Sequence, residues 1–224
     1  MDMSDLAVLR SDFGSTCIDD YLVTFHAASR SGKDDDPPPY TYCLESGYAA
    51  EIKALHLQKV IEDWEGIRER VKRGERAPFN VDSLYLKNGI YYLVEFKDNQ
   101  KASLKKLRKS LYNKARDAIH ILVRHGVKSE EYFSADSIYI VVATKIKNKT
   151  DAELGFAASA GLLYEDDLFD EMFGPPDDIL AKPWKAPEYE ADADLGCWNG
   201  LLYRQVLTLT PMQFNNYAEE GQWR

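Results

Sequence analysis

The stretch Phe79 to Lys97, FNVDSLYLKNGIYYLVEFK, constrains this chain more than any other. Val81 to Leu86 and Ile90 to Phe96 are rich in β-branched and aromatic residues, and Asn88-Gly89 between them is the strongest short-range signal for a tight hairpin, because both turn positions require positive φ. With Asn88 and Gly89 as the loop, Lys87 pairs with Ile90, and counting back along both strands sets Asp82 opposite Glu95. Residues so placed have Cβ atoms about 5 Å apart, a distance at which like charges repel. A cation between them removes the repulsion. Lys97 lies two residues beyond Glu95 and shares its face, since strand side chains alternate. Two carboxylates at this spacing suit Mg²⁺ or Mn²⁺, hard ions that take oxygen ligands and keep waters for chemistry.

Asp82, twelve intervening residues and then Glu95-Phe96-Lys97 resembles the PD-(D/E)XK nuclease superfamily, whose signature is an Asp on one strand and Glu-x-Lys on its hairpin neighbour. The resemblance spans roughly residues 49 to 145. It implies that Asp82, Glu95 and the carbonyl of Phe96 hold the metal and that Lys97 orients or deprotonates the attacking water. Val81 stands where many members carry Pro, and the expected first helix leaves little room for a strand before Asp82. The competing reading is a surface hairpin whose charges are solvated. Apolar residues on both hairpin faces argue against it, since charges in a strand covered on both sides need partners.

Composition bounds the alternatives. The 224 residues, 45% hydrophobic and 12% aromatic, suffice for a buried core. No apolar run approaches the roughly 18 residues of a membrane span, and the opening MDMSDLAVLRSDF is too acidic for a signal peptide, so a cytoplasmic protein with no membrane partner is expected. Cys17, Cys43 and Cys197 are odd in number and lack a Cys-x-x-Cys pair, which points to free thiols rather than a disulfide framework or zinc site. A net charge of −9 argues against a nucleic-acid partner until its distribution is considered. Residues 151–224 hold 15 of the 37 acidic but only 4 of the 28 basic residues, leaving 22 acidic against 24 basic in residues 1–150. The expected organisation is therefore a nuclease-like α/β core over 1–150, with an N-terminal hairpin, and an acidic C-terminal extension over 151–224 packed on it.

Along the chain, Asp20 to Ala28 reads as a strand with Tyr40 to Leu44 as its partner across a polar, proline-rich loop. Within that loop, Asp34 to Asp36 lacks calcium-loop spacing and reads as a solvated run. From Ala49 to Arg73, Leu57, Val60, Ile61, Trp64, Ile67 and Val71 recur at helical spacing, predicting one amphipathic helix. Nucleases of the resembling kind often carry a Glu on this helix near the metal, which nominates Glu51; a solvent-facing Glu is the alternative. A second helix is expected over Ser103 to Arg124, with Ser103 as N-cap. Lys101, Lys105, Arg108, Lys109 and Arg116 fall on one stripe of it, a candidate track for a phosphate backbone or a solvated surface. Lys114 joins these candidates at the edge of the apolar face, placed to turn back toward the hairpin. Ser137 to Thr144 reads as a buried strand beside the hairpin. Further on, Leu154 to Tyr164 is small and apolar, Glu165 to Phe173 has the content of a short helix, and a proline-rich loop follows. GLLYRQVLTLT is a strand candidate, and Thr210, Pro211 and Gln213 open a helix with a capping box.

These features predict a mixed sheet flanked by helices, a restriction-endonuclease-like fold by resemblance. The function expected is metal-dependent hydrolysis of nucleic acid, DNA first and RNA as the alternative, with a protein partner for the acidic C-terminal region also open. The competing expectation is a nuclease-like fold without chemistry, serving as a nucleic-acid- or protein-binding regulatory module.

Overall fold

The computed structural model describes residues 1–14, 17–31, 40–74, 80–97, 104–143 and 200–219. Helix α1 (Met3–Asp12) leads into a 3-10 turn at Ile18–Tyr21, then β1 (Leu22–Thr24), α2 (Phe25–Ala28), β2 (Arg30–Ser31) and β3 (Thr41–Tyr42). A second 3-10 turn (Ala49–Glu51) precedes β4 (Lys53–Leu55), α3 (Leu57–Trp64) and α4 (Ile67–Lys72). The hairpin β5 (Ser83–Lys87) and β6 (Ile90–Lys97) follows, then α5 (Leu104–Arg124), α6 (Glu130–Asp136), β7 (Ser137–Ala143), β8 (Gln205–Leu209) and α7 (Pro211–Glu219). Among the described residues six strands form one mixed sheet in the order β1-β4-β5-β6-β7-β8: the pairs β1-β4, β4-β5 and β5-β6 are antiparallel, whereas β7 and β8 join in parallel. The protein is thus α/β. Among the described residues no helix is long and apolar enough to cross a membrane.

Both faces of the sheet are covered. Leu84, Leu86, Tyr91, Leu93, Tyr139 and Val141 pack with Leu9 of α1, Val60 and Ile61 of α3, Leu111, Ala115 and Ala118 of α5, and Phe133 of α6. On the other face, Tyr85, Tyr92, Val94, Phe96, Ile140 and Val142 pack with Phe25 of α2 and with Phe214 and Tyr217 of α7. This two-sided cover explains why the central strands read as continuous apolar runs. Phe96 meets Phe25 and Phe214 edge to face, with ring centroids 6.0 and 6.1 Å apart. Anchoring Phe96 on that face leaves Glu95 and Lys97, one residue to either side, on the face roofed by α5.

The hairpin register is the one its turn dictates: Lys87 pairs with Ile90 and Ser83 with Val94. Asn88 and Gly89 have φ of 53° and 80°, as a two-residue primed turn requires. The turn is held from two sides. Lys87 reaches Asp2 at 2.6 Å, the Asn88 amide donates to Asp5 Oδ1, and the Tyr132 hydroxyl of α6 donates to the Gly89 carbonyl.

Two expectations give way. Residues 49–73 are not one helix: Ala54 and Leu55 are fully buried on opposite faces of β4, and α3 is cut from α4 at Gly66, whose φ is 57°. Asp20 to Ala28 is not one strand paired with Tyr40 to Leu44. β1 pairs with β4, and Thr24 accepts from the Ala27 amide, capping α2; only Arg30–Ser31 meets Thr41–Tyr42. Thr210 and Gln213 do form the capping box, by bonds of 3.2 and 2.8 Å. The boundary expected near residue 150, Cys197 and the reading of residues 154–173 lie outside the described residues, as do Asp34 to Asp36. Beyond them β8 extends the same sheet next to β7.

Helix α7 is locked to the loop before the second 3-10 turn. Asn215 accepts from the Ala49 amide and donates to the Ser46 carbonyl, both at 2.9 Å. Gly47 lies under this side chain with φ 106°, and a Cβ there would stand 2.5 Å from Asn215. Gly47→Ala is therefore expected to cost about 1–3 kcal/mol, combining a strained φ with displacement of the Asn215 clasp. Urea unfolding of the two proteins measures it; equal stabilities would contradict the clasp.

Candidate metal centre

β6 outruns β5 by three residues. Glu95, Phe96 and Lys97 pair with Val141, Val142 and Ala143 of β7, but β5 ends opposite Val94. On the open side the Phe96 amide donates instead to Asp82 Oδ2 at 2.7 Å, so the Asp82 side chain stands where the partner strand has stopped. The Asp82 backbone is tied to α3 through its carbonyl, which accepts from the Gln58 amide at 3.5 Å, and Asn80 donates to the Gln58 carbonyl. At the other edge, the Cys43 thiol donates to the carbonyls of Val142 and Lys97.

Glu95 is fully buried. Its Oε1 receives two ammoniums, Lys97 at 2.5 Å and Lys114 of α5 at 2.6 Å, and Lys114 lies 3.6 Å from Asp82 Oδ1. The two carboxylates and two lysines therefore form one network. Glu95 Oε2 is buried in it without a hydrogen-bond partner among the described residues, as is the hydroxyl of Tyr139 on β7. Burial raises the Tyr139 hydroxyl well above its ordinary range, with Glu95, Tyr203 and Asp82 adding to the effect.

The network sets the charge states. Burial, then the neighbouring Glu95, pushes Asp82 up to about 6 against the pull of Lys114 and Lys97. Burial alone would raise Glu95 as well, but Lys114 and Lys97 outweigh it and hold that carboxyl below the usual range. Burial would lower Lys114; Glu95 and Asp82 reverse this and keep it charged. Because the folded state holds the Asp82 proton more tightly than the unfolded chain, Asp82 makes stability fall as pH rises from about 4 through about 6. Asp82→Asn retains an acceptor for the Phe96 amide and removes the disfavoured charge. It is expected to raise stability by about 1–2 kcal/mol at pH 7.5, a gain that fades as pH falls to 4.5. Chemical unfolding at the two pH values checks this, and a loss of stability at pH 7.5 would contradict it.

The donor set fits a hard divalent ion held loosely. Among the described residues no three His, Cys, Asp or Glu side chains converge, so the protein offers two carboxylates and backbone oxygen. Mg²⁺ is commonly held by one or two carboxylates, with waters and substrate phosphates completing the octahedron. The orphaned Glu95 Oε2 is a buried lone pair that such an ion would satisfy.

The other nominated residues are placed differently. Glu51 is exposed, in the 3-10 turn Ala49–Glu51 rather than on a helix, and its neighbours Ala49 and Ala50 pack on the sheet face opposite Glu95. Lys114 belongs to the carboxylate network and not to an outward stripe, while Arg116 is ion-paired with Asp117 at 2.6 Å. Lys105, Arg108 and Lys109 lie in the first turns of α5, and Lys101 and Ser103 lie outside the described residues. Sequence reasoning missed Tyr139. Its signal was parity: Tyr139 aligns with Leu93, two positions from Glu95, which becomes visible only once β7 is in register with β6. No protein family, curated protein or solved structure matches this chain.

Proposed function

We propose that this protein is a Mg²⁺- or Mn²⁺-dependent phosphodiesterase acting on nucleic acid, DNA before RNA, on a restriction-endonuclease-like core. The observation that carries this reading is the meeting of Asp82, Glu95 and Lys97 at the overhanging end of the hairpin, with one Glu95 oxygen buried and unpartnered. The mixed sheet and the helical cover of both faces support the resemblance to PD-(D/E)XK nucleases that the spacing of these residues suggests. Asp82 and Glu95 would hold the ion, with the Phe96 carbonyl as a third oxygen.

The bound ion supplies polarisation of the scissile phosphate and a water of lowered pKa. Lys97, anchored on Glu95 and one-fifth exposed, is the group able to orient that water and to stabilise charge developing on the phosphate. Burial of Glu95 keeps bulk water from screening these interactions. The basic residues early in α5, directly downstream of the β6 end, would carry the phosphate backbone toward the site. The acidic region beyond residue 150 would serve a protein partner.

One observation favours a second reading, a nuclease-like fold used only for binding. Two lysines already neutralise the two carboxylates, as in a buried ion network that serves structure alone. Incubating the full chain with plasmid, single-stranded DNA and RNA across Mg²⁺ and Mn²⁺ concentrations separates the two. Ion-dependent cleavage of any substrate supports the enzyme. Binding without cleavage under every condition supports the binding module.

A further inference from the structure

The carboxylate network is neutral before any ion arrives: Asp82 and Glu95 contribute two negative charges, Lys97 and Lys114 two positive ones. A divalent ion added to this arrangement would leave an excess of two positive charges around a fully buried carboxylate, where poor solvation makes uncompensated charge costly. A positive group must therefore leave, or negative groups must arrive. The geometry singles out Lys114. Its ammonium lies between the two carboxylates, 2.6 Å from Glu95 Oε1 and 3.6 Å from Asp82 Oδ1, where a shared ion would sit. It reaches that place from α5 on a flexible four-carbon stem, whereas both carboxylates are fixed by the sheet, Asp82 through the Phe96 amide. Glu95 Oε2, fully buried and without a partner, leaves the carboxylate able to receive a ligand as the ammonium departs.

We propose that Lys114 is the resident cation of this site and that a divalent ion binds by displacing its ammonium from between Asp82 and Glu95. The inference rests on the metal reading above and adds what that reading lacks, the group that leaves. Once displaced, Lys114 remains beside the ion and is free to contact a phosphate oxygen. Substrate phosphates would also restore neutrality, so ion and nucleic acid should each bind more tightly in the presence of the other, by the same factor.

The test is calorimetric titration of Mg²⁺ into the full chain, wild type and Lys114→Met, the latter keeping the stem and removing the charge. Displacement requires Lys114→Met to bind Mg²⁺ at least about tenfold more tightly than the wild type, since the competing charge a few ångströms away is gone. A second measurement needs no variant: the ¹⁵N resonance of the ion-paired Lys114 ammonium should shift or broaden as Mg²⁺ saturates the wild type. This measurement decides alone if Lys114→Met does not fold. Equal or weaker binding by a folded Lys114→Met, or an unchanged Lys114 signal at saturation, overturns the displacement and leaves the metal site standing. If neither protein takes up Mg²⁺, the metal reading fails and this inference with it.

Discussion

Lys114→Ala should cost about 3–5 kcal/mol at pH 7.5, because removing one partner from a buried ion network leaves the remaining charge unpaired. Lys114 reaches both carboxylates from α5, at 2.6 Å from Glu95 and 3.6 Å from Asp82, and its loss leaves Asp82 beside Glu95 with Lys97 as the remaining lysine of the network. The direction with pH follows from Asp82. Its carboxyl already titrates near 6, raised first by burial and then by Glu95, and losing Lys114 removes one of the groups that pull it down. The variant should therefore regain stability as pH falls through that raised value, since the folded state takes up a proton the unfolded chain does not bind. Urea unfolding at pH 7.5 and 5 measures both effects. Adding Asp82→Asn to Lys114→Ala should recover part of the loss, by non-additivity between contacting groups. A cost under about 1 kcal/mol at pH 7.5, the range of exposed pairs, would mean that the network is solvated.

The second large effect concerns turnover. Lys97 is expected to act as charge develops on the phosphate, so Lys97→Ala should lower kcat by about 10²–10³ while leaving KM and substrate affinity nearly unchanged. Glu95→Gln should do more. It keeps the shape of the side chain but removes a charge proposed to hold the ion, with an expected loss of about 10³ or greater in kcat/KM. Single-turnover cleavage with matched binding measurements distinguishes these outcomes. A Lys97→Ala variant that loses affinity and rate in equal proportion would move Lys97 from chemistry to substrate binding.

Much of the centre was legible because a single local signal fixed it. Asn88-Gly89 permits a two-residue loop, the loop fixes the register, and the register carries Asp82 to the level of Glu95 and Lys97 to the same face. Helix α5, strand β7 and the capped α7 were legible for a similar reason, since each shows its own period or cap over seven or more residues. β4 was not, because three residues are too few to show alternation, and they merge with the helical spacing that begins at Leu57. The helical spacing around Glu51 misleads, because the chain forms no helix there and the turn that Glu51 occupies belongs to the other side of the sheet. Lys114 stood out as a lysine on an apolar edge, but its destination depended on how α5 lies over the strands. Tyr139 depended on the parallel pairing of β6 with β7, a non-local contact without a turn to announce it.

Stability and proposed activity meet at one residue, Asp82, whose substitution by Asn bears on both. Cleavage of an end-labelled DNA or RNA substrate by the wild type and Asp82→Asn, over a range of Mg²⁺ and in EDTA, should be run beside the unfolding curves of both. The expected result is a variant that is at least as stable as the wild type at pH 7.5 and has lost Mg²⁺-dependent cleavage by about 10³ or more. Cleavage that survives in Asp82→Asn, or that proceeds unchanged in EDTA, would contradict the claim that Asp82 and Glu95 hold a catalytic metal.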